Sequence, residues 1–233
     1  PRAAESPADA LSAALASPSR PAADRERDAD RRPADVIGFL GIEPGMAVID
    51  VIAAGGYYTE ILAIAVGPDG RVDAQNPPAV LRMRDGANDR ALAERLGGDR
   101  LPNVSRLDLD FGELAGGAPR YDAAITALNF HDIYNGAGPD AAVAVLRTLH
   151  GLLKDGGVLG IIDHAGNPDG DNRALHRVDP ERVIESAEAA GFVVEAQSDL
   201  LANPDDDRTQ SVFDDSIRGR TDRFLLKLRK PAG

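Results

Sequence analysis

The chain has 233 residues, 43% of them apolar, enough for one sizeable hydrophobic core. A formal net charge of -12, with no block of lysine and arginine, argues against a nucleic-acid binder and against anionic membrane surfaces as partners. The absence of cysteine removes disulfides, thiolate nucleophiles and cysteine metal sites, and no run of about 18 apolar residues exists to span a bilayer.

The chain begins at Pro1, and residues 1–21 are rich in Ala, Pro and Ser; they read as a flexible leading segment. That composition fits the stretch behind a cleaved export signal and equally a trimmed cytoplasmic tail. A short helix is expected over 9–16. Residues 24–32 alternate in charge, a pattern that pairs opposite charges on a solvated helix face. Pro33 suits the first position of a helix ended by Gly41. Residues 46–52 form an apolar run expected to be a buried parallel strand, followed by a glycine-containing turn and a helix over 59–66. Further strands are predicted at 71–74, 104–109, 121–128 and 158–162, with helices near 88–96, at 141–153 and at 180–190. The last strands, 192–196 and 223–229, have no crossover helix between them and predict an antiparallel pair. The alternation gives an α/β class: a Rossmann-like, doubly wound, mostly parallel seven-stranded sheet with an antiparallel last strand, preceded by N-terminal helices.

In such a sheet ligands bind beyond the carboxyl ends of the strands, so the first strand-to-helix turn is the place to look. It runs from Asp50 through Val51, Ile52, Ala53, Ala54, Gly55 and Gly56 to Tyr57, Tyr58, Thr59 and Glu60. Glycine allows close approach of a ligand to the backbone, and the following helix start carries free N–H groups and partial positive charge.

This turn resembles motif I of the class I S-adenosylmethionine-dependent methyltransferases. The flanks are similar to the same family: Glu43-Pro-Gly45-Met46 before the strand, Gly67-Pro-Asp69-Gly70-Arg71-Val72 after the helix, Leu153-Lys-Asp155-Gly-Gly157, and Thr221-Asp-Arg-Phe224. The subgroup resembled is a set of bacterial predicted methyltransferases with a Gly-Gly-Tyr-Tyr-Thr-Glu loop, over residues 22–231, which places the domain at 22–233. The resemblance implies S-adenosylmethionine as cofactor, held by Asp50, Ala54, Gly55, Gly56, Tyr57 and Asn129, with Asn76 where the family carries a ribose-binding acid. Asp108 or Asp110 would hold the adenine amino group. The family has glycine two and four residues after the acid; here those positions are Ile52 and Ala54, and only Gly56 matches the third glycine. Ile52 is β-branched, strongly disfavours positive φ, and is expected to crowd the methionine part of the cofactor.

Four histidines occur. His150 lies within a helix and reads as structural. His131 and Asp132 follow the fourth strand, Asp163 and His164 follow the fifth, and His176 lies beyond. The expected catalytic set is His131, Asp132, Asp163 and His164, with one histidine as general base and one carboxylate orienting it. A competing use is a divalent metal held by His131, Asp163, His164 and His176. The acidic loop at 199–208 reads as solvated surface, too irregular for calcium.

Two functions follow. The first is methyl transfer to a small-molecule acceptor, in the cytoplasm where the donor is made. The second is an exported, non-methylating protein on the same fold that binds a metal or small ligand. Acidic charge and 4% aromatic residues leave little for nucleic-acid recognition in either case.

Overall fold

A computed structural model describes residues 7–233; the first part of the expected flexible segment, residues 1–6, lies outside the described residues. The chain divides into two compact units, Pro1–Asp108 and Leu109–Gly233.

In the first unit, helix α1 (Pro7–Leu15) buries Leu15 and packs on α3 (Pro33–Leu40) and α4 (Tyr57–Val66). Helix α2 (Ala22–Arg31) carries the charge run. Helix α3 (Pro33–Leu40) starts on proline and stops at Gly41, whose φ of 73° only glycine adopts freely. Strand β1 (Ala47–Val51) is buried at every position, as expected for a strand covered on both faces. Helix α4 (Tyr57–Val66) follows, then β2 (Arg71–Gln75), α5 (Pro78–Leu96) and β3 (Val104–Leu107). Helix α5 is longer than the sequence predicts and is broken at Met83, Arg84, Asp85 and Gly86, so residues 88–96 form the regular part. Strand β1 pairs in parallel with β2, and β2 with β3.

In the second unit, α6 (Phe111–Leu114) leads into β4 (Tyr121–Ala127), α7 (Phe130–Ala137), α8 (Pro139–Leu152) and β5 (Leu153–His164). Then come α9 (Asn172–Leu175), α10 (Pro180–Ala189), β6 (Val193–Ser198) and β7 (Arg223–Arg229). Strands β4 and β5 are parallel; β7 runs antiparallel to both β5 and β6. Residues 153–157, read from sequence as a helix end and a turn, instead open β5 with a register shift against β4. The seven strands belong to one mixed sheet, ordered β3-β2-β1-β4-β5-β7-β6, the expected α/β class. No helix among the described residues is long and apolar enough to cross a membrane.

Candidate active site

The turn after β1 keeps a glycine-loop backbone without the glycines. Ile52 has φ 54°, Ala54 φ 49° and Gly56 φ 84°. These are the three positions at which the resembled motif carries glycine. The conformation that Ile52 was expected to refuse is therefore adopted, at a strain of about 1–3 kcal/mol for such a residue. Hydrogen bonds from the end of β2 impose it. Ile52 N donates to Gln75 Oε1 at 3.0 Å, Ala53 N to the Gln75 carbonyl at 2.9 Å, and Ala54 N to Asn76 Oδ1 at 2.8 Å. Asn76 is buried and returns a longer bond, Nδ2 to the Ala54 carbonyl at 3.4 Å. It stands where the resembled motif carries a ribose-binding acid, and its amide closes the loop. A ribose hydroxyl reaches it only by displacing the Ala54 contact or taking the second N–H.

Gly56 is needed for space as well as for φ: a Cβ there would lie 2.9 Å from Leu92 Cδ1 and 3.0 Å from Arg95 Cδ. A Cβ on Gly55 would lie 3.1 Å from Ala91 Cβ. Both glycines thus let α5 close onto the back of the loop. Arg95 locks that contact, with Nε on the Gly55 carbonyl at 2.9 Å, Nη2 on Asp24 at 2.7 Å, and Nη1 on Glu60. Arg100 takes the other side of Glu60 at 2.6 and 2.7 Å. The charge run of α2 is therefore not a solvated face throughout: Asp24 is buried because its partner is an arginine on α5.

Asp50 is buried and accepts the Thr59 hydroxyl at 2.6 Å. Burial pushes its carboxyl up to about 7, against the Thr59 hydroxyl and N–H and the charge of Arg95. Tyr57 and Tyr58 are both buried with rings edge-on at 5.2 Å. The Tyr57 hydroxyl donates to Asp28 at 2.7 Å while Arg27 and Arg31 lie over its ring, so Tyr57 ties the loop to α2. Asp108 pairs with Arg106 at 2.8 Å on the rim of an open depression of about 560 Å³ that Leu81, Arg82 and Asp89 also line.

In the second unit the chain leaves β4 through Leu128, held at φ 62° with its N–H on the Ile162 carbonyl at 2.8 Å. Asn129 then stands at the N-cap of α7, its Nδ2 on the Ala127 carbonyl at 2.8 Å. This sharp turn places His131 and Asp132 in the first turn of a helix that the sequence reading missed. Asp163, fully buried at the end of β5, receives the His131 backbone N–H at 2.8 Å on one oxygen and meets His131 Nδ1 at 2.7 Å with the other. His164 meets the Thr221 hydroxyl through Nδ1 at 2.7 Å. The rings of His131 and His164 are 5.8 Å apart, and those of His131 and His176 5.7 Å.

The two buried histidines are pushed in opposite directions. Burial opposes protonation of His131, but the charge and hydrogen bond of Asp163, with Asp132, outweigh it and raise its pKa. Burial lowers His164 to about 4, helped by His131, Arg223 and Arg177 and opposed by Asp163. His164 is therefore neutral at neutral pH, and His131 is the stronger base. Asp110 caps α6 in a reciprocal box with Glu113, a structural use of its carboxylate. His150, on α8, lies edge-on to Phe192 at 5.0 Å.

Sequence reasoning missed Thr221 as the partner of His164, and Arg177. Arg177 is fully buried, donates to Asp206 at 2.8 and 3.1 Å, and anchors the acidic loop. That loop is not simply solvated: Leu201 and Asp206 are buried. No single-residue signal marks Arg177, because its partners lie some thirty residues on.

No family model matches the chain, and no curated protein matches its sequence. Solved structures do. A SAM-dependent methyltransferase from Aquifex aeolicus is 21% identical, with TM-score 0.61 over 85% of this chain and 89% of that one. The chain has the fold of the class I methyltransferases. Aeropyrum pernix fibrillarin, with natively bound S-adenosyl-L-methionine, is 16% identical with TM-score 0.54, over 83% of this chain and 73% of that one. The cyclase SpnF, 18% identical with TM-score 0.63 over 88% and 82%, has the same fold under a different activity.

Proposed function

We propose that the protein transfers a methyl group from S-adenosylmethionine to an oxygen or nitrogen of a small molecule. The observation that carries this reading is the left-handed backbone at Ile52 and Ala54. A β-branched residue kept at positive φ is strained, and such strain is characteristic of ligand-binding turns. The donor supplies an electrophilic methyl on a sulfonium. The start of α4 would offer the positive end of its helix dipole to the donor's carboxylate.

The acceptor proton goes to His131 Nε2, because Nδ1 is engaged by Asp163. Asp163 orients the ring and stabilises the imidazolium that forms, as the acid of a hydrolase triad does. His164, neutral and tied to Thr221, positions rather than accepts. S-adenosylmethionine, when bound, would supply the methyl group, and His131 would take the proton that the acceptor gives up.

A second reading is a ligand-binding protein without methyl transfer. It is favoured by the internal use of the loop: the N–H groups of Ile52, Ala53, Ala54 and Gly56 all have partners within the protein. Incubation with methyl-labelled S-adenosylmethionine and a panel of small hydroxyl and amine acceptors separates the two. Labelled product that is lost in His131→Gln supports methyl transfer; no product with any acceptor, despite bound donor, supports the second reading.

A further inference from the structure

One oxygen of Asp132 lies 3.4 Å from His131 Nε2 and 3.4 Å from His176 Nδ1, and the three atoms are all within 4.8 Å of one another. A distance of 3.4 Å is long for an N–H···O hydrogen bond, which falls at about 2.7–3.2 Å. It matches the edge of a coordination tetrahedron. Ligands about 2.0–2.1 Å from a zinc ion stand about 3.3–3.4 Å apart. We propose that His131 Nε2, Asp132 Oδ1 and His176 Nδ1 form a binding site for a first-row divalent cation of the zinc class, with three protein ligands and an open position.

A second, independent feature points the same way. Histidine ligands characteristically hand their other ring nitrogen to a carboxylate, which fixes the tautomer and aims the ligating nitrogen. Asp163, fully buried, does this to His131 at 2.7 Å. The third ligand is also braced. Asn135 Nδ2, one turn along α7 from His131, donates to the carbonyl of Arg177 at 2.7 Å, which ties the helix of the first two ligands to the segment of the third. Arg177 is itself fixed on Asp206, and His176 takes a left-handed φ of 54° at the end of α9. Access is open: the side chains of Asp132 and His176 are 64% and 40% exposed.

Two imidazoles with one carboxylate suit zinc or cobalt and not calcium or magnesium, which prefer oxygen ligands throughout. The set differs from the one the sequence suggested, because Asp163 lies behind His131 and His164 is held by Thr221. The inference goes beyond the methyl-transfer reading and does not rest on it. His131 Nε2 cannot hold a cation and accept a proton together, so cation binding and proton abstraction compete for one atom.

The test is titration of the metal-stripped full chain with zinc by calorimetry and with cobalt by visible absorption. One equivalent is expected, with the intense cobalt bands of a four- or five-coordinate site. Asp132→Asn and His176→Asn, both at exposed side chains, should weaken binding at least tenfold; Asp163→Asn should weaken it by about 10–100-fold through the tautomer. His164→Asn should retain it. Absence of a stoichiometric site in the unaltered chain, or unchanged affinity in both the Asp132 and His176 variants, would overturn the proposal. Methyl transfer is read separately from labelled product, so failure of either reading leaves the other measurable.

Discussion

Asp163 meets His131 twice, through the backbone N–H at 2.8 Å and through Nδ1 at 2.7 Å, and also accepts its neighbour's N–H, that of His164, at 2.7 Å. The carboxylate is thus both the structural anchor of the α7 start and the group that fixes the imidazole. Asp163→Asn replaces one acceptor oxygen by a donor and leaves buried N–H groups unmatched. A loss of about 2–4 kcal/mol in denaturant-measured stability is expected. Turnover should fall by about 10²–10⁴, as expected when a base is left in the wrong tautomer.

Ala54 sits at φ 49°, where glycine carries no steric penalty. Ala54→Gly exchanges strain of about 1–2 kcal/mol for about 0.5–1 kcal/mol of extra chain entropy. The variant should be as stable as the parent or more so by up to about 1 kcal/mol. A clear loss of stability in urea unfolding would show that the loop is not strained there.

Asp50 gives a pH signature. Its folded-state pKa, about 7, lies above the unfolded carboxyl value near 4, so the folded state binds the extra proton between those limits. Stability contributed by this group is therefore full below pH 4 and declines as pH rises to about 7. Asp50→Asn removes that decline while keeping an acceptor for Thr59. Unfolding free energies at pH 5 and pH 8 should show the unaltered chain losing more than the variant between the two.

Arg95 joins Gly55, Glu60 and Asp24. Arg95→Met keeps much of the volume and leaves the buried Asp24 carboxylate only the more distant Arg27 at 3.6 Å, with a loss of about 3 kcal/mol expected. Glu60 keeps Arg100, so a companion Arg100→Met change should be milder. Equal losses in thermal unfolding would contradict the assignment of Arg95 as the loop's clamp.

The parts of the fold legible in sequence are those with local causes. The buried run of β1, the glycine stop at Gly41, and the missing crossover before β7 each state their meaning within a few residues. Strand order then brings His131 and Asp163 to neighbouring strand ends, so their meeting was also legible. What stayed hidden depends on distant partners. The φ of Ile52 is imposed by Gln75, 23 residues later, and Asp24 is buried by Arg95, 71 residues later. Helix α7 was hidden by its own composition, since Asn135 and Gly136 weaken the helical signal that would have placed Asp132 beside His176.

Donor binding is tested most directly by calorimetric titration of the metal-stripped protein with S-adenosylmethionine and with S-adenosylhomocysteine. One site with micromolar affinity for both ligands is expected, tightened in Ala54→Gly. Absence of heat for either ligand at concentrations approaching millimolar, from a protein shown to be folded by its cooperative unfolding, would contradict it.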